Sequence, residues 1–318
     1  SFTHPLVTSA VPTGPYINIT LSSEIAGMII KEVSKQEEKY GQSTVGRKKR
    51  VMQEYANGNT HKEYHVGHLR NIAFGDAVNR ILSANGYTSI PVSYINDFGI
   101  HVAKTLWAYR ELKYPNPTEV KEGIRSHGWF LGQMYTTSVG MLQAAPERKV
   151  EVAEIMKAIE SRKGETYKLW QRTRQWSLDQ FKAVNQELGV QFTTTFYESD
   201  FIDAGLKAVQ DLVQRRILVK SEGAIIANLE EYNLGVLVVI RSDGTALYPV
   251  ADLALTAHKV KKYKLDTSLW VVDIRQGQYL HQLFKVLELS GLKAHLAHLP
   301  YEFVKLPSGM MSSRSGNI

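Results

Sequence analysis

The sequence predicts an α/β protein in which a parallel sheet flanked by helices is interrupted by a long helical insertion. Three observations carry this reading. Residues 51–95 run strand, helix, strand, the order of a βαβ unit, which requires a parallel pair and a crossover. Residues 107–188 hold helical patterns and no convincing strand. From residue 191 onward, strand-sized apolar runs alternate with helical ones again.

In chain order, the first candidate strand is 16–21. A helix follows, entered through Ser22-Ser23-Glu24 and running to about residue 38. Residues 40–50 contain Gly and Ser and end in the basic run Arg47-Lys48-Lys49-Arg50, a linker composition. The strand at 51–56 stops at Asn57-Gly58-Asn59. Leu69, Ile72, Ala73, Ala77 and Ile81 then recur at helical spacing up to Asn85-Gly86, where glycine supplies a left-handed stop. A strand at 87–95 follows at once. The insertion contributes helices at 147–162 and 165–188. Strands at 191–197, 224–228, 235–241 and 268–274 then alternate with helices at 201–218, 251–263 and 279–290. No internal repeat, heptad array or low-complexity segment interrupts the pattern.

Composition bounds the function. The chain has 318 residues, 43% hydrophobic and 22% charged, which excludes disorder over most of its length and allows one large domain with an insertion or two domains. It has no cysteine, so disulfide scaffolds, thiolate metal sites and cysteine nucleophiles are excluded, and an intracellular protein is expected. The longest apolar run, 234–240, is strand-sized, so no membrane helix is expected. The start, Ser1-Phe2-Thr3-His4-Pro5, has no initiating Met and no leader pattern, which is expected of a fragment. Lys and Arg number 38 against 31 Asp and Glu, a net +7 that suits a polyanion such as nucleic acid and equally a generally basic surface.

Two nucleotide fingerprints are absent. No two glycines are spaced Gly-x-Gly, so a dinucleotide turn is missing. Residues 41–48 approach a Walker loop, but Arg47 stands where Lys is needed and a strand follows instead of a helix. His65-Val66-Gly67-His68 is more informative, because it sits where the first strand hands over to its helix. A helix start offers free N–H groups and partial positive charge to a phosphate, two imidazoles add donors, and Gly67 admits close backbone approach. A chance or structural pair of histidines fits those four residues equally well. A metal set of His61, His65 and His68 is a weaker alternative, since Gly67 and the strand end spoil a single helical face. Near the far end, residues 308–317 form a small, hydroxyl-rich segment with one cation, Arg314, suited to a clamp over a triphosphate.

His-x-Gly-His in the first βαβ unit, paired with Met311-Ser312-Ser313-Arg314-Ser315-Gly316-Asn317, resembles the class I aminoacyl-tRNA synthetases. Intervening segments narrow the resemblance to the arginyl branch: 54–59 through 65–70, 94–99, 188–192, Glu198-Ser199, 242–248, 251–254 and 271–276, in that order. The resemblance spans about residues 16–318. It implies a Rossmann-like parallel sheet, ATP with Mg²⁺, L-arginine and tRNA(Arg) as partners, and a cytoplasmic, monomeric enzyme making arginyl-adenylate and then arginyl-tRNA. It also implies His65, His68, Lys62, Ser312 and Arg314 as catalytic. Glu54, Asn59, Tyr248, Asp252 and Gln276 are implied as the arginine pocket, where a guanidinium demands planar carboxylate partners. His65, Gly67, His68, Met311, Ser312 and Ser313 are implied as ATP contacts. Which of Glu54 and Asp252 meets the guanidinium is left open. Tyr248 and Asp252 also fit a core aromatic and an N-cap at an ordinary helix start.

The chain departs from the family pattern in several places. Met310 and Ser315 occupy the positions of the family's usual lysines, and Lys62, three residues before His65, is expected to substitute by neutralising the leaving pyrophosphate. Tyr279 stands where His is common and Ala251 where Arg is common. The expected organisation is 1–46 as a remnant of an N-terminal domain for the tRNA elbow plus a linker, represented by its last strand and helix, then 47–318 as the catalytic domain with an insertion at about 107–190. The resemblance implies that the C-terminal anticodon-binding domain is expected to be absent. Members of the family need bound tRNA before they activate arginine. The insertion is expected near the acceptor end, with Arg172 and Arg174 meeting phosphate or forming a solvated helix face. The alternatives are a non-catalytic paralogue or tRNA-binding module, and a small-molecule nucleotidyltransferase using the same histidine turn.

Overall fold

A computed structural model describes residues 4–113, 127–302, 304–306 and 309–310. The chain opens with an antiparallel hairpin of β1 (Val7–Thr13) and β2 (Tyr16–Leu21), followed by helix α1 (Glu24–Gln36). The strand expected at 16–21 and the helix after it are there, and β1 is an additional strand whose Pro12 hides its strand pattern.

The central sheet is formed by β3 (Arg50–Glu54), β4 (Thr88–Ile95), β5 (Thr194–Tyr197), β9 (Thr267–Asp273) and β10 (His295–Tyr301). Its order is β10-β9-β3-β4-β5 and every neighbouring pair is parallel. Helix α2 (Val66–Ala84) crosses from β3 to β4 and covers one face, where its Asn79 meets the Ser89 hydroxyl of β4, which also reaches Gln53 of β3. Helices α8 (Tyr248–Tyr263) and α9 (Gly277–Leu289) cover the other, where Leu255 packs on Met52, Val92 and Phe196, and Phe284 on Trp270. Such strands, buried on both faces, are expected to read as near-continuous apolar runs. The order reverses between β3 and β9, so the ends of these strands frame the crevice where open parallel sheets bind ligands.

Between β4 and β5 the insertion folds as α3 (Ile100–Glu111), α4 (His127–Ala144), α5 (Lys149–Glu160) and α6 (Gly164–Glu187). It begins earlier than the expected residue 107, because Gly99 at φ 111° ends the β4 loop and releases a helix at once. Its core is Val102, Leu106, Trp107, Val152, Ile159 and Trp170.

The second correction concerns the strands at 224–228 and 235–241. They form β7 (Ala224–Asn228) and β8 (Val236–Ile240), but with β6 (Val219–Ser221) they make a separate antiparallel sheet rather than extending the parallel one. Helix α7 (Ile202–Gln214) precedes it, and Val209, Leu212, Leu237 and Val239 join Trp270 and Leu283 in one core. Two-residue strands β11 (Lys305–Leu306) and β12 (Gly309–Met310) pair after β10. Among the described residues no helix is long and apolar enough to cross a membrane.

Candidate active site

The turn after β3 is built to present donors. His65 is the N-cap of α2, and its Nδ1 accepts from the Gly67 N–H at 3.1 Å. His68 Nδ1 accepts in turn from the His65 N–H at 3.1 Å, so two imidazoles make the reciprocal cap that Ser and Glu make in most helices. With both Nδ1 atoms accepting, each proton sits on Nε2. Burial, with His65 and the Lys62 ammonium adding, pushes His68 down to about 3, and burial with Lys62 lowers His65. Both rings are therefore neutral near pH 7, their Nε2–H groups beside the positive end of a 19-residue helix.

The helix is anchored by Asn71, whose Oδ1 accepts from the Ala56 N–H at 2.6 Å and whose Nδ2 donates to the Val271 carbonyl at 2.5 Å. This joins α2 to the ends of β3 and β9, the two strands flanking the crevice. Lys62 lies half-buried in the preceding loop, its ammonium 4.8 Å from the Tyr135 ring centroid. The metal alternative fails: His61 turns its ring to Thr60 and Thr173, and no cluster of acids and histidines among the described residues could hold a metal.

Carboxylates gather at the ends of β3, β4 and β5 and on α8. Glu54 is buried, accepts from Asn57 Nδ2 at 2.9 Å and is ion-paired with Lys259 of α8. Glu198, which follows β5, accepts from Asn96 Nδ2 at 3.2 Å; burial outweighs that bond and, with the charges of Asp252 and Asp97, pushes it up to about 8. Asp252 accepts from the Tyr279 hydroxyl and rises to about 6, chiefly by burial, with Glu54 adding. Tyr94 faces all three: burial and then the charges of Asp252, Glu198 and Glu54 hold its proton on, and its buried hydroxyl lies beside Asp252.

Lys259 is the only fully buried Lys or Arg among the described residues. Counting Glu54, Glu198 and Asp252 as ionised, the cluster carries 3 − 1 = 2 uncompensated negative charges in a low-dielectric site. Such an arrangement takes up a small cation, and two raised carboxyls are the groups that would ionise to meet it.

Both ordinary-helix alternatives for Tyr248 and Asp252 are corrected. Tyr248 is 57% exposed and so no core aromatic, and the N-cap is Leu247, with Asp252 inside the helix. Asn59 bridges to Asn96 beside β4. Gln276 ends a short turn after β9, capped by Asp273, whose carboxylate also holds Arg275 at 2.6 Å. Glu54 and Asp252 thus meet at the strand ends, Asn59 and the histidines lie in the loop and helix start that follow β3, and Tyr248 and Gln276 lie on exposed segments. Met311, Ser312, Ser313 and Arg314 lie outside the described residues. Arg174 is not on a solvated face: it ion-pairs with buried Asp97 at 2.5 Å, while Arg172 lies over Trp176. Glu198 and Lys259 are absent from the sequence-derived site. A signal existed for each: Glu198 closes a parallel strand, and Lys259 lies two helical turns from Asp252 on the buried face of α8.

Comparison with known proteins identifies the family of the chain. Residues 29–318 match the family model described as tRNA synthetases class I (R), catalytic domain. The chain is 36% identical to the arginine–tRNA ligase of Bdellovibrio bacteriovorus, covering 98% of this chain and 54% of that protein. It is 32% identical to the Clostridium perfringens arginine–tRNA ligase, covering 96% and 54%. It therefore spans about half the length of these curated relatives. Among solved structures, Thermus thermophilus arginyl-tRNA synthetase superposes with a TM-score of 0.72 at 24% identity, over 99% of this chain and 57% of that one. The Plasmodium falciparum enzyme gives 0.70 at 19%, over 95% and 53%, a likeness of fold.

Proposed function

The chain belongs to the family of class I arginyl-tRNA synthetase catalytic domains, and from that premise we propose that it activates L-arginine with ATP and transfers the arginyl group to tRNA(Arg). The observation that carries the proposal is the charge balance around Tyr94. Two uncompensated negative charges match the two cations of L-arginine, guanidinium and α-ammonium. Glu54 is already paired with Lys259, so Asp252 and Glu198, which have no cationic side chain bonded to them among the described residues, are the two carboxylates left to meet the guanidinium and the α-ammonium. Asn59, Tyr248 and Gln276 complete the amino-acid pocket.

In the first step an arginine carboxylate oxygen attacks the α-phosphorus of ATP. The bond from that phosphorus to the bridging oxygen breaks, and pyrophosphate leaves with the electron pair. His65 and His68 donate their Nε2–H groups to the phosphate oxygens, while the helix start and Gly67 receive the phosphate closely. Lys62 offsets charge on the departing pyrophosphate, with Ser312 and Arg314 assisting and Met311 and Ser313 contacting ATP. In the second step a ribose hydroxyl of the terminal adenosine attacks the arginyl carbonyl carbon, and AMP leaves. Mg²⁺, when bound with ATP, would offset charge on its phosphates. We expect a cytoplasmic monomer.

The test is arginine-dependent exchange of labelled pyrophosphate into ATP with tRNA(Arg) supplied. Exchange that vanishes in His65→Ala and His68→Ala supports the proposal. The lysine-poor second signature favours one other reading, a tRNA-binding module without activity. Arginine binding with no exchange under any tRNA supply would select it.

A further inference from the structure

One stripe of α6 touches both loops that floor the cleft. Trp170, Thr173, Arg174, Ser177 and Phe181 recur at helical spacing and so share a face. Trp170 Nε1 donates to the Asp97 carbonyl at 2.9 Å, and Arg174 pairs with the Asp97 carboxylate, securing the loop after β4. Thr173 and Ser177 meet His61, in the loop after β3. Phe181 stacks on Tyr64, with centroids 4.3 Å apart and rings 10° from parallel.

His61 is held by two residues of this stripe at once. It is fully buried, and its backbone lies at φ 64°, a left-handed conformation that a residue with a Cβ keeps only where its surroundings impose it. Its N–H donates to Ser177 Oγ at 2.9 Å. Its Nε2 lies 2.8 Å from Thr173 Oγ1, and that hydroxyl already donates to the Leu169 carbonyl, so the ring carries its proton on Nε2 and donates. Nδ1 is left to accept from the Thr60 hydroxyl at 3.0 Å. Burial pushes the imidazole down to about 3, so this lock stays neutral and unchanged across the physiological range.

Upstream of His61 the loop is held by the sheet instead. Thr60 N–H donates to the Asn96 carbonyl at 3.0 Å and Asn96 N–H to the Gly58 carbonyl at 2.9 Å. Downstream, Glu63 accepts from Gln133 of α4 at 2.9 Å before the chain reaches His65. His61 is thus where control of the loop passes from sheet to insertion. Asn59 lies on the sheet side, Lys62 and His65 on the insertion side.

We propose that His61, gripped by Thr173 and Ser177, is a positioning residue through which the helical insertion sets the aim of Lys62 and the histidine turn toward ATP. This rests on the proposed assignment of ATP to that turn. Thr173 touches no substrate in the proposed reaction, which makes it the cleanest place to cut the link. Thr173→Val keeps the shape and removes the hydroxyl, and Thr173→Ser restores it. Calorimetric titration of the 318-residue chain with ATP and, separately, with L-arginine decides the matter. Thr173→Val should weaken ATP binding about tenfold while arginine affinity stays within about twofold, and Thr173→Ser should bind both as wild type does. Unchanged ATP affinity, or an equal loss for both ligands, overturns the proposal. If Thr173→Val fails to fold, Ser177→Ala is judged by the same split. A wild-type chain that binds no ATP removes the functional reading and this inference with it, whereas wild-type binding with an unaltered variant removes only the inference.

Discussion

Glu198 keeps a proton that a surface carboxylate would lose. In the folded protein it titrates at about 8, against an ordinary 4.5, so between those values the native state binds more protons than the unfolded chain. Stability of the ligand-free protein therefore falls as pH rises through that window. Glu198→Gln should melt with wild type at pH 4 and at a higher temperature than wild type at pH 9; the reverse order contradicts the burial argument. Arginine binding must draw the proton off Glu198, so at pH 7 its calorimetric enthalpy should change with the ionisation enthalpy of the buffer. His65→Ala and His68→Ala should each slow adenylate formation about 10²- to 10³-fold in single turnover, the cost of removing one oriented donor. The histidines were legible because their spacing and place at a strand-to-helix turn carry a chemical meaning in one dimension. Glu198 was not, since its raised titration depends on burial and on two other carboxylates, Asp252 and Asp97, that are distant in sequence and meet it only across the strand ends.

At the scale of elements, α8 does two jobs with one face, carrying Asp252 toward the cleft and Lys259 beneath Glu54. In the sequence Lys259 sits among Lys261, Lys262 and Lys264 and reads as one of a solvated set; only the packing of α8 on the sheet turns it inward. Removing it strands a buried carboxylate. Lys259→Met should cost about 3–5 kcal/mol in urea unfolding, and a loss below 1 kcal/mol contradicts the pairing. The β3-α2-β4 unit was legible from apolar periodicity. β10 was hidden by His295, His298 and Pro300, tolerated because it is an edge strand. Strands β7 and β8 were visible as strands, but their antiparallel partners were not, because apolar runs do not encode which edge they join.

Across the whole molecule, the sheet reverses its order between β3 and β9, and the histidine turn and the carboxylates lie at that end. The parallel sheet and its insertion were readable because alternation of strand and helix allows few topologies. The cleft's charge was not readable from the net +7, since that basic surface surrounds an acidic interior. In the proposed function this opposition has a use: a basic exterior suits a polyanion and an anionic pocket suits a doubly cationic amino acid. The most direct test is calorimetric titration of the chain with L-arginine and with L-citrulline, which keeps the shape and replaces the guanidinium by neutral urea. Saturable arginine binding with proton release, and citrulline weaker by about 100-fold or more, is the predicted result. Equal binding of the two, or arginine uptake without proton release, contradicts a pocket built on Asp252 and Glu198.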